Sequence, residues 1–453
     1  MLHLNENVST AILEKDKKYI WHHISPYKEN AAPLVIKEGK GSWVTDIEGK
    51  RYLDGMSGLW CVNVGYGREE LAQAAYEQLK TLPYFPLTQS HLPAIALAEK
   101  LNEWLQGDYV IFFSNSGSEA NEVAFKIARQ YHQQNGEPSR HKFIARYRAY
   151  HGNSMGSLAA TGQAKRKYKY EPLGGGFLHV QPPDSYRRPA GQTVEEFNLQ
   201  CAQAIEDMII WEAKETVAAV IMEPVITGGG VIVPHPLYME RVQEICDAHG
   251  VLLIIDEVIC GFGRLGKPFG HMNFQVKPDI VTMAKGLTSA YLPLSATAVR
   301  RDIYEVFQDS DEYGHFRHIN TFGGNPAACA LALKNLEIME KEHLIERANM
   351  LGDRLRAEMN ELEDHPHVGD IRGIGFLLGL ELVEDKATKT PISAEKIGQV
   401  IAECKANGLI VGKNGDTVAG FDNVLTLSPP LSSTDDDLDF IISILKKALR
   451  TLA

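Results

Sequence analysis

Cysteine is scarce in this chain of 453 residues. Cys61, Cys201, Cys246, Cys260, Cys329 and Cys404 are scattered, and no Cys-x-x-Cys pair occurs. Such spacing excludes a disulfide framework and a thiolate zinc site, and it points to reduced thiols in the cytosol. No stretch approaches the roughly 20 consecutive apolar residues of a membrane span. Met1–Thr10 lacks the apolar core of a secretory leader. Basic surplus is missing as well. Lys and Arg number 46 against 58 Asp and Glu, a net charge of −12, which argues against nucleic acid as the main partner. The histidine pairs, His22-His23 and His315 with His318, lack carboxylates at a ligand-like spacing, so they read as structural or surface residues and no metal site is expected.

What is present is the make-up of a globular protein, 44% hydrophobic and 23% charged. The length exceeds one simple core, so two closely packed domains are expected. Strand candidates are Tyr109–Phe113, Lys142–Arg146, Val217–Met222, Val251–Ile255, Ile280–Ala284 and Leu294–Val299. Helical patterns fall between several of them, over Ser118–Gln133 and Tyr238–His249. That alternation predicts an α/β fold with a mostly parallel sheet, and the unbroken apolar runs predict strands buried on both faces. Pro182–Gln192, rich in proline and arginine, reads as a surface loop. After Asn325-Pro326 come a long helical pattern, a strand pair over Asp370–Glu381 and a closing helix over Thr434–Leu452. The predicted division is a small-domain part over 1–60, a large domain over 61–325 and the rest of an α+β small domain over 326–453.

Two of the apolar runs end on groups with chemistry. One finishes on Asp256 and the other on Lys285. In a parallel sheet both emerge at the carboxyl edge, where open α/β sheets bind ligands. A lysine amine able to form an imine, with a carboxylate for a pyridinium nitrogen, is the pair that pyridoxal 5′-phosphate requires. An asparagine in place of Asp256 would hydrogen-bond that nitrogen but hold its proton less well. The run Ser116-Gly117-Ser118 sits between a strand and a helix, as an anion site or as a plain serine N-cap. Tyr150, before His151-Gly152, reads either as a ring stacked on a flat cofactor or as a core aromatic.

Two motif matches point elsewhere. Gly261-Phe262-Gly263-Arg264-Leu265-Gly266 has dinucleotide-type spacing, but Lys267-Pro268 follows where a helix must start, so it reads as a loop. Gly152-Asn153-Ser154-Met155-Gly156 has the spacing of a hydrolase nucleophile elbow, which leaves a serine hydrolase using Ser154 as an alternative of another class.

With these residues stand Glu223-Pro224-Val225, Ile255-Asp256-Glu257-Val258, Ala284-Lys285-Gly286 and Thr321-Phe322-Gly323-Gly324-Asn325-Pro326. Together they resemble the class III (omega-amino acid) aminotransferases over nearly the whole chain. The resemblance implies a fold type I transferase with a mostly parallel seven-stranded sheet. It implies that Lys285 would bind the cofactor covalently and act as the base, and that Asp256 would pair with the pyridine nitrogen. Tyr150 and Val258 would cover the two ring faces, with His151 beside them. Ser116, Gly117 and Ser118 would hold the phosphate with Thr321 of a neighbouring subunit, and Glu223 would support the ring near its 3′ oxygen. It also implies a homodimer, or a dimer of dimers, with shared sites.

Within the family, Ser57–Gly67 is similar to the branch that passes nitrogen from taurine, β-alanine or simple amines to pyruvate. The resemblance then puts Trp60 and Tyr150 in the substrate pocket and brings Tyr84 and Phe85 from the partner. Relatives place a mobile arginine in the stretch that here reads Leu409–Gly415, where only Lys413 stands. An ammonium lacks the guanidinium fork, so this departure favours a sulfonate or an unusual acid. The alternative within the family is the adenosylmethionine-8-amino-7-oxononanoate aminotransferase of biotin synthesis.

Overall fold

The structure is a computed structural model that describes residues 6–24, 33–308, 311–414 and 417–452. Met1–Asn5 of the N-terminal stretch and Gly415 of the Leu409–Gly415 stretch lie outside them.

A seven-stranded sheet forms the centre. Its strands are β1 (Tyr109–Ser114), β2 (Lys142–Arg146), β3 (Phe177–Val180), β4 (Val217–Met222), β5 (Leu252–Asp256), β6 (Ile280–Met283) and β7 (Ser295–Arg300). Their spatial order is β1-β7-β6-β5-β4-β2-β3. Strand β7 runs antiparallel to both neighbours, and the remaining pairs are parallel. Strands β4, β5 and β6 are buried at every residue, which is why their sequences are apolar without alternation. Helix α1 (Gly117–Gln134) lies across β7 and β6 and buries Val123, Ala124, Ile127 and Ala128 on its inner face. It starts one residue before the sequence pattern, because Ser116 and Glu119 form a reciprocal capping box.

Two smaller sheets flank this layer. In one, the strands Ile36–Lys40, Trp43–Asp46 and Arg51–Asp54 are joined by Leu409–Ile410. Leu53 pairs with Leu409 there in parallel register. The other is built on the antiparallel pair Val368–Ile374 and Leu377–Asp385. The Pro182–Gln192 segment is no simple surface loop. Asp184 is buried against Arg148, and Arg187 reaches Glu381 at 3.0 Å across the boundary between sheets. Charge pairing holds it down where proline and arginine content suggested exposure.

The Gly261–Gly266 segment is a run of turns, with Gly263 and Gly266 at φ of +83° and +75°. Its fully buried Arg264 donates to the Pro429 carbonyl at 2.6 Å and to Asn63 Oδ1 at 2.8 Å. The loop therefore ties the first third of the chain to the last. His22 accompanies Asp16 at 2.7 Å, a carboxylate neighbour that sequence spacing did not reveal. Among the described residues no three His, Cys, Asp or Glu side chains converge in a metal-like group.

Candidate active site

The carboxyl ends of β1, β2, β4, β5 and β6 open on one edge, where a cavity of about 200 Å³ forms. Gly117, Ser118, Tyr150, His151, Glu223, Asp256, Val258 and Lys285 all line it. Asp256 is the last residue of β5 and Lys285 follows the end of β6, so sheet register alone fixes their neighbourhood: Asp256 pairs with Thr282. Lys285 has φ +44°, an unusual conformation for a non-glycine residue and one that recurs at functional sites. Its Nζ stands 5.9 Å from the centre of the Trp60 ring.

Asp256 is buried and held from three sides. His151 Nδ1 lies 2.9 Å from Oδ2, Asn121 Nδ2 donates to Oδ2 at 2.9 Å, and the Val258 amide donates to Oδ1 at 3.1 Å. Asn121 also donates to the His151 carbonyl at 2.6 Å and accepts the Thr282 hydroxyl at 2.7 Å. These bonds fix the carboxylate's direction. Glu223 is buried as well. It accepts the Tyr150 amide at 3.1 Å and the Thr227 hydroxyl at 2.7 Å. Burial pushes its carboxyl above the usual range; His151 and the bonds from Thr227 oppose that rise, and Asp256 adds to it. Burial likewise raises the Tyr150 phenol.

Helix α1 supplies the anion cradle. The amides of Gly117 and Ser118 belong to its first turn, where no intrahelical acceptor exists and the helix dipole is positive. Ser118 Oγ exchanges bonds with Asn153, each 3.1 Å. Ser116 differs from its neighbours: it is exposed, its hydroxyl accepts the Glu119 amide at 3.3 Å, and it does not line the cavity.

Five other expected residues stand away from the cavity lining. Thr321 is exposed, and its carbonyl accepts the Tyr84 hydroxyl at 2.9 Å. Tyr84 and Phe85 are exposed beside it. Lys413 is half-buried in a strand pair with Leu425, and its ammonium has no hydrogen bond or ion pair among the described residues. Trp60 meets Lys285, while its indole N–H has no partner among the described residues.

Ser154 does not have the setting of a nucleophile. Its hydroxyl donates to Glu122 at 2.5 Å and touches Ser157 Oγ at 2.7 Å, with no histidine partner. Its backbone is ordinary extended chain, φ −75°, where an elbow requires a strained turn. Glu122 also accepts the Gly156 and Ser157 amides at 2.9 Å, so the serine belongs to a loop clasp.

Asn121, Thr282 and Glu122 are the residues that sequence reasoning did not single out. Asn121 carried one signal: it is a poor helix former on the same face as Gly117, four residues on.

An amine, a pinned carboxylate, a flanking aromatic and free helix amides fit pyridoxal 5′-phosphate. The tight approach of Gly117 to Val258 agrees with this, since a β-carbon there would lie 2.9 Å from the valine methyls. Comparison with known proteins agrees. The class III aminotransferase family model matches residues 24–449. The uncharacterized aminotransferase YhxA of Bacillus subtilis (strain 168) is 62% identical over 449 residues, 99% of each chain. A taurine–pyruvate aminotransferase of Bilophila wadsworthia is 42% identical, covering 96% of both. An omega transaminase of Pseudomonas jessenii, solved in complex with PMP, superposes with a TM-score of 0.93 at 36% identity, covering 97% of this chain and 98% of that one. The chain belongs to the class III aminotransferases, fold type I transferases that use pyridoxal 5′-phosphate.

Proposed function

We propose that this protein transfers an amino group from an omega-amino acid or amine, such as taurine or β-alanine, to pyruvate. One observation carries the reading: Lys285 and the thrice-bonded Asp256 face one cavity at the mouth of α1. The likeness to the Bilophila wadsworthia taurine–pyruvate aminotransferase supports the choice of donor and acceptor.

When bound, the cofactor supplies an electron sink for the donor's amino-bearing carbon. The side chains do the rest. Lys285 Nζ holds the cofactor between turnovers and carries the proton taken from that carbon. The Asp256 carboxylate, which His151 and Asn121 keep in place, would hold a proton on the ring nitrogen. Gly117 and Ser118 amides receive the phosphate. Val258 and Tyr150 would confine the ring from its two faces. Glu223 would support the ring near its hydroxyl oxygen. Trp60 bounds the donor's pocket beside Lys285. The ketone or aldehyde leaves by hydrolysis, and pyruvate then takes the nitrogen through the same residues and departs as alanine.

The reading includes a homodimer or a dimer of dimers. Tyr84, Phe85, Ile319 and Phe322 are exposed together around Thr321, an apolar surface that a second subunit would cover. Thr321, Tyr84 and Phe85 would then serve the neighbour's site. It also keeps the division at 60/61 and 325/326 and a cytosolic setting, where all six thiols stay unpaired.

The test is a donor screen with the purified holoenzyme and pyruvate, read by alanine formation. Taurine, β-alanine and S-adenosylmethionine are offered in turn. Alanine from taurine or β-alanine is expected. Silence across every donor would end this reading, and nitrogen transfer from S-adenosylmethionine to 7-keto-8-aminopelargonate would replace it with the biotin-pathway reaction.

A further inference from the structure

An acid-bearing donor needs a cation to meet its far end, and neither Lys413, the residue at the expected place, nor any arginine is part of the cavity's own lining. The structure supplies a different one. Arg166 lies in the short helix Ala164–Lys167, between Lys165 and Lys167. Its guanidinium stands 5.1 Å from the centre of the Tyr150 ring, and Tyr150 lines the cavity.

The arginine is held in a way that leaves its terminal nitrogens open. Nε donates to Gln163 Oε1 at 2.7 Å. Gln163 is itself buried and donates to the Arg148 carbonyl at 2.9 Å, so the guanidinium hangs from a fixed point. Neither terminal nitrogen has a partner among the described residues. Its two basic neighbours are engaged otherwise. Lys165 faces Asp422 at 3.5 Å, and Lys167 donates to the Ala159 carbonyl at 3.2 Å. Arg166 is half-buried and carries no carboxylate on its fork, in a chain with more acids than bases. Such a fork matches two oxygens of a carboxylate or sulfonate, and desolvation beside an aromatic face strengthens the match.

We propose that Arg166 is the receptor for the substrate's distal acid group, with the Tyr150 ring as the platform that aims its guanidinium, and that it does here what relatives assign to an arginine near the C-terminus. The assignment deepens the omega-amino acid reading and rests on it. The ligand class is a short anion carrying an amine two or three atoms away, sulfonate or carboxylate.

The experiment compares wild type, Arg166→Gln, Arg166→Lys and Lys413→Gln as holoenzymes. Single-turnover consumption of taurine is set against that of propylamine, a similar chain without the acid. In Arg166→Gln the taurine-to-propylamine ratio of kcat/KM should fall about ten- to hundredfold, the scale of a charge-assisted hydrogen-bonded pair, mostly through KM. Arg166→Lys should fall between, because it keeps the charge and loses the fork. Calorimetric titration with ethanesulfonate, which has no amine to react, gives a readout independent of turnover and should weaken by a similar factor in Arg166→Gln. The proposal is overturned if both substrates suffer equally, if ethanesulfonate binding is unmoved, or if Lys413→Gln shifts the ratio and Arg166→Gln does not. Absence of alanine from wild type with every donor would end the transaminase reading instead, and the ethanesulfonate titration would still decide the role of Arg166.

Discussion

Gly117 faces Val258 so closely that a methyl group on residue 117 would lie 2.9 Å from each valine γ carbon. Valine is stiff about χ1 and has little room to yield. Gly117→Ala should therefore lower stability by about 1–3 kcal/mol, the usual cost of overpacking, and weaken cofactor binding. Thermal melting and a cofactor titration followed by absorbance check both. Adding Val258→Ala should recover most of the loss, and no recovery would mean that the contact is not the cause.

Lys285→Ala should retain a coloured, dialysable cofactor and lose turnover by at least about a thousandfold, since the base and the covalent tether are one group. Borohydride reduction followed by peptide mapping should mark Lys285 in the wild type and nothing in the variant. A tether found on any other side chain would refute the assignment.

Asn121 holds Asp256, the His151 carbonyl and Thr282 at once. Asn121→Leu leaves a buried hydroxyl and carboxylate each short of a partner, at a cost of about 1–3 kcal/mol per orphaned group. The expected signs are a lower melting temperature and a red- or blue-shifted cofactor band, because Asp256 loses its fixed direction. Asn121→Ser, which keeps a donor, should lie closer to wild type.

His179 sets an acid limit. Burial, with Lys167 adding to it, lowers its pKa from the usual 6.5 to about 4. The ring is neutral when folded, while the unfolded chain takes up a proton from about pH 6.5 downward. Folding stability should therefore fall as pH drops from about 6.5 to 4 and change little from this source above pH 7. The contribution is roughly 3 kcal/mol. Urea midpoints measured across that range should slope less in His179→Gln.

Ser154→Ala should keep transaminase activity and lose some stability, because the serine clasps Glu122. A fluorophosphonate probe should leave Ser154 unlabelled.

Much of this was legible in the chain. The strands over Lys142–Arg146 and Val217–Met222 end where their apolar runs end, since burial on both faces writes itself into composition. Strand β3 was not, because four residues after Gly174-Gly175-Gly176 give too short a pattern. Helix Val194–Trp211 also went unmarked, although Thr193 and Glu196 spell a capping box ahead of it. Lys285 and Asp256 could be found because a strand end is a local feature. Asn121 offered only a faint local signal and Arg166 none, because their worth lies in partners 161 residues away or in an unfilled fork that only tertiary structure reveals.

The parallel pairing of Leu53 with Leu409 sets a timetable for synthesis. A ribosome must add more than three hundred residues after Asp54 before that outer ribbon can close. Until then Arg51–Asp54 offers an open hydrogen-bonding edge to the cell. A nascent chain halted just short of Leu409 should be cut by protease within that early segment, while the same segment in the finished protein resists.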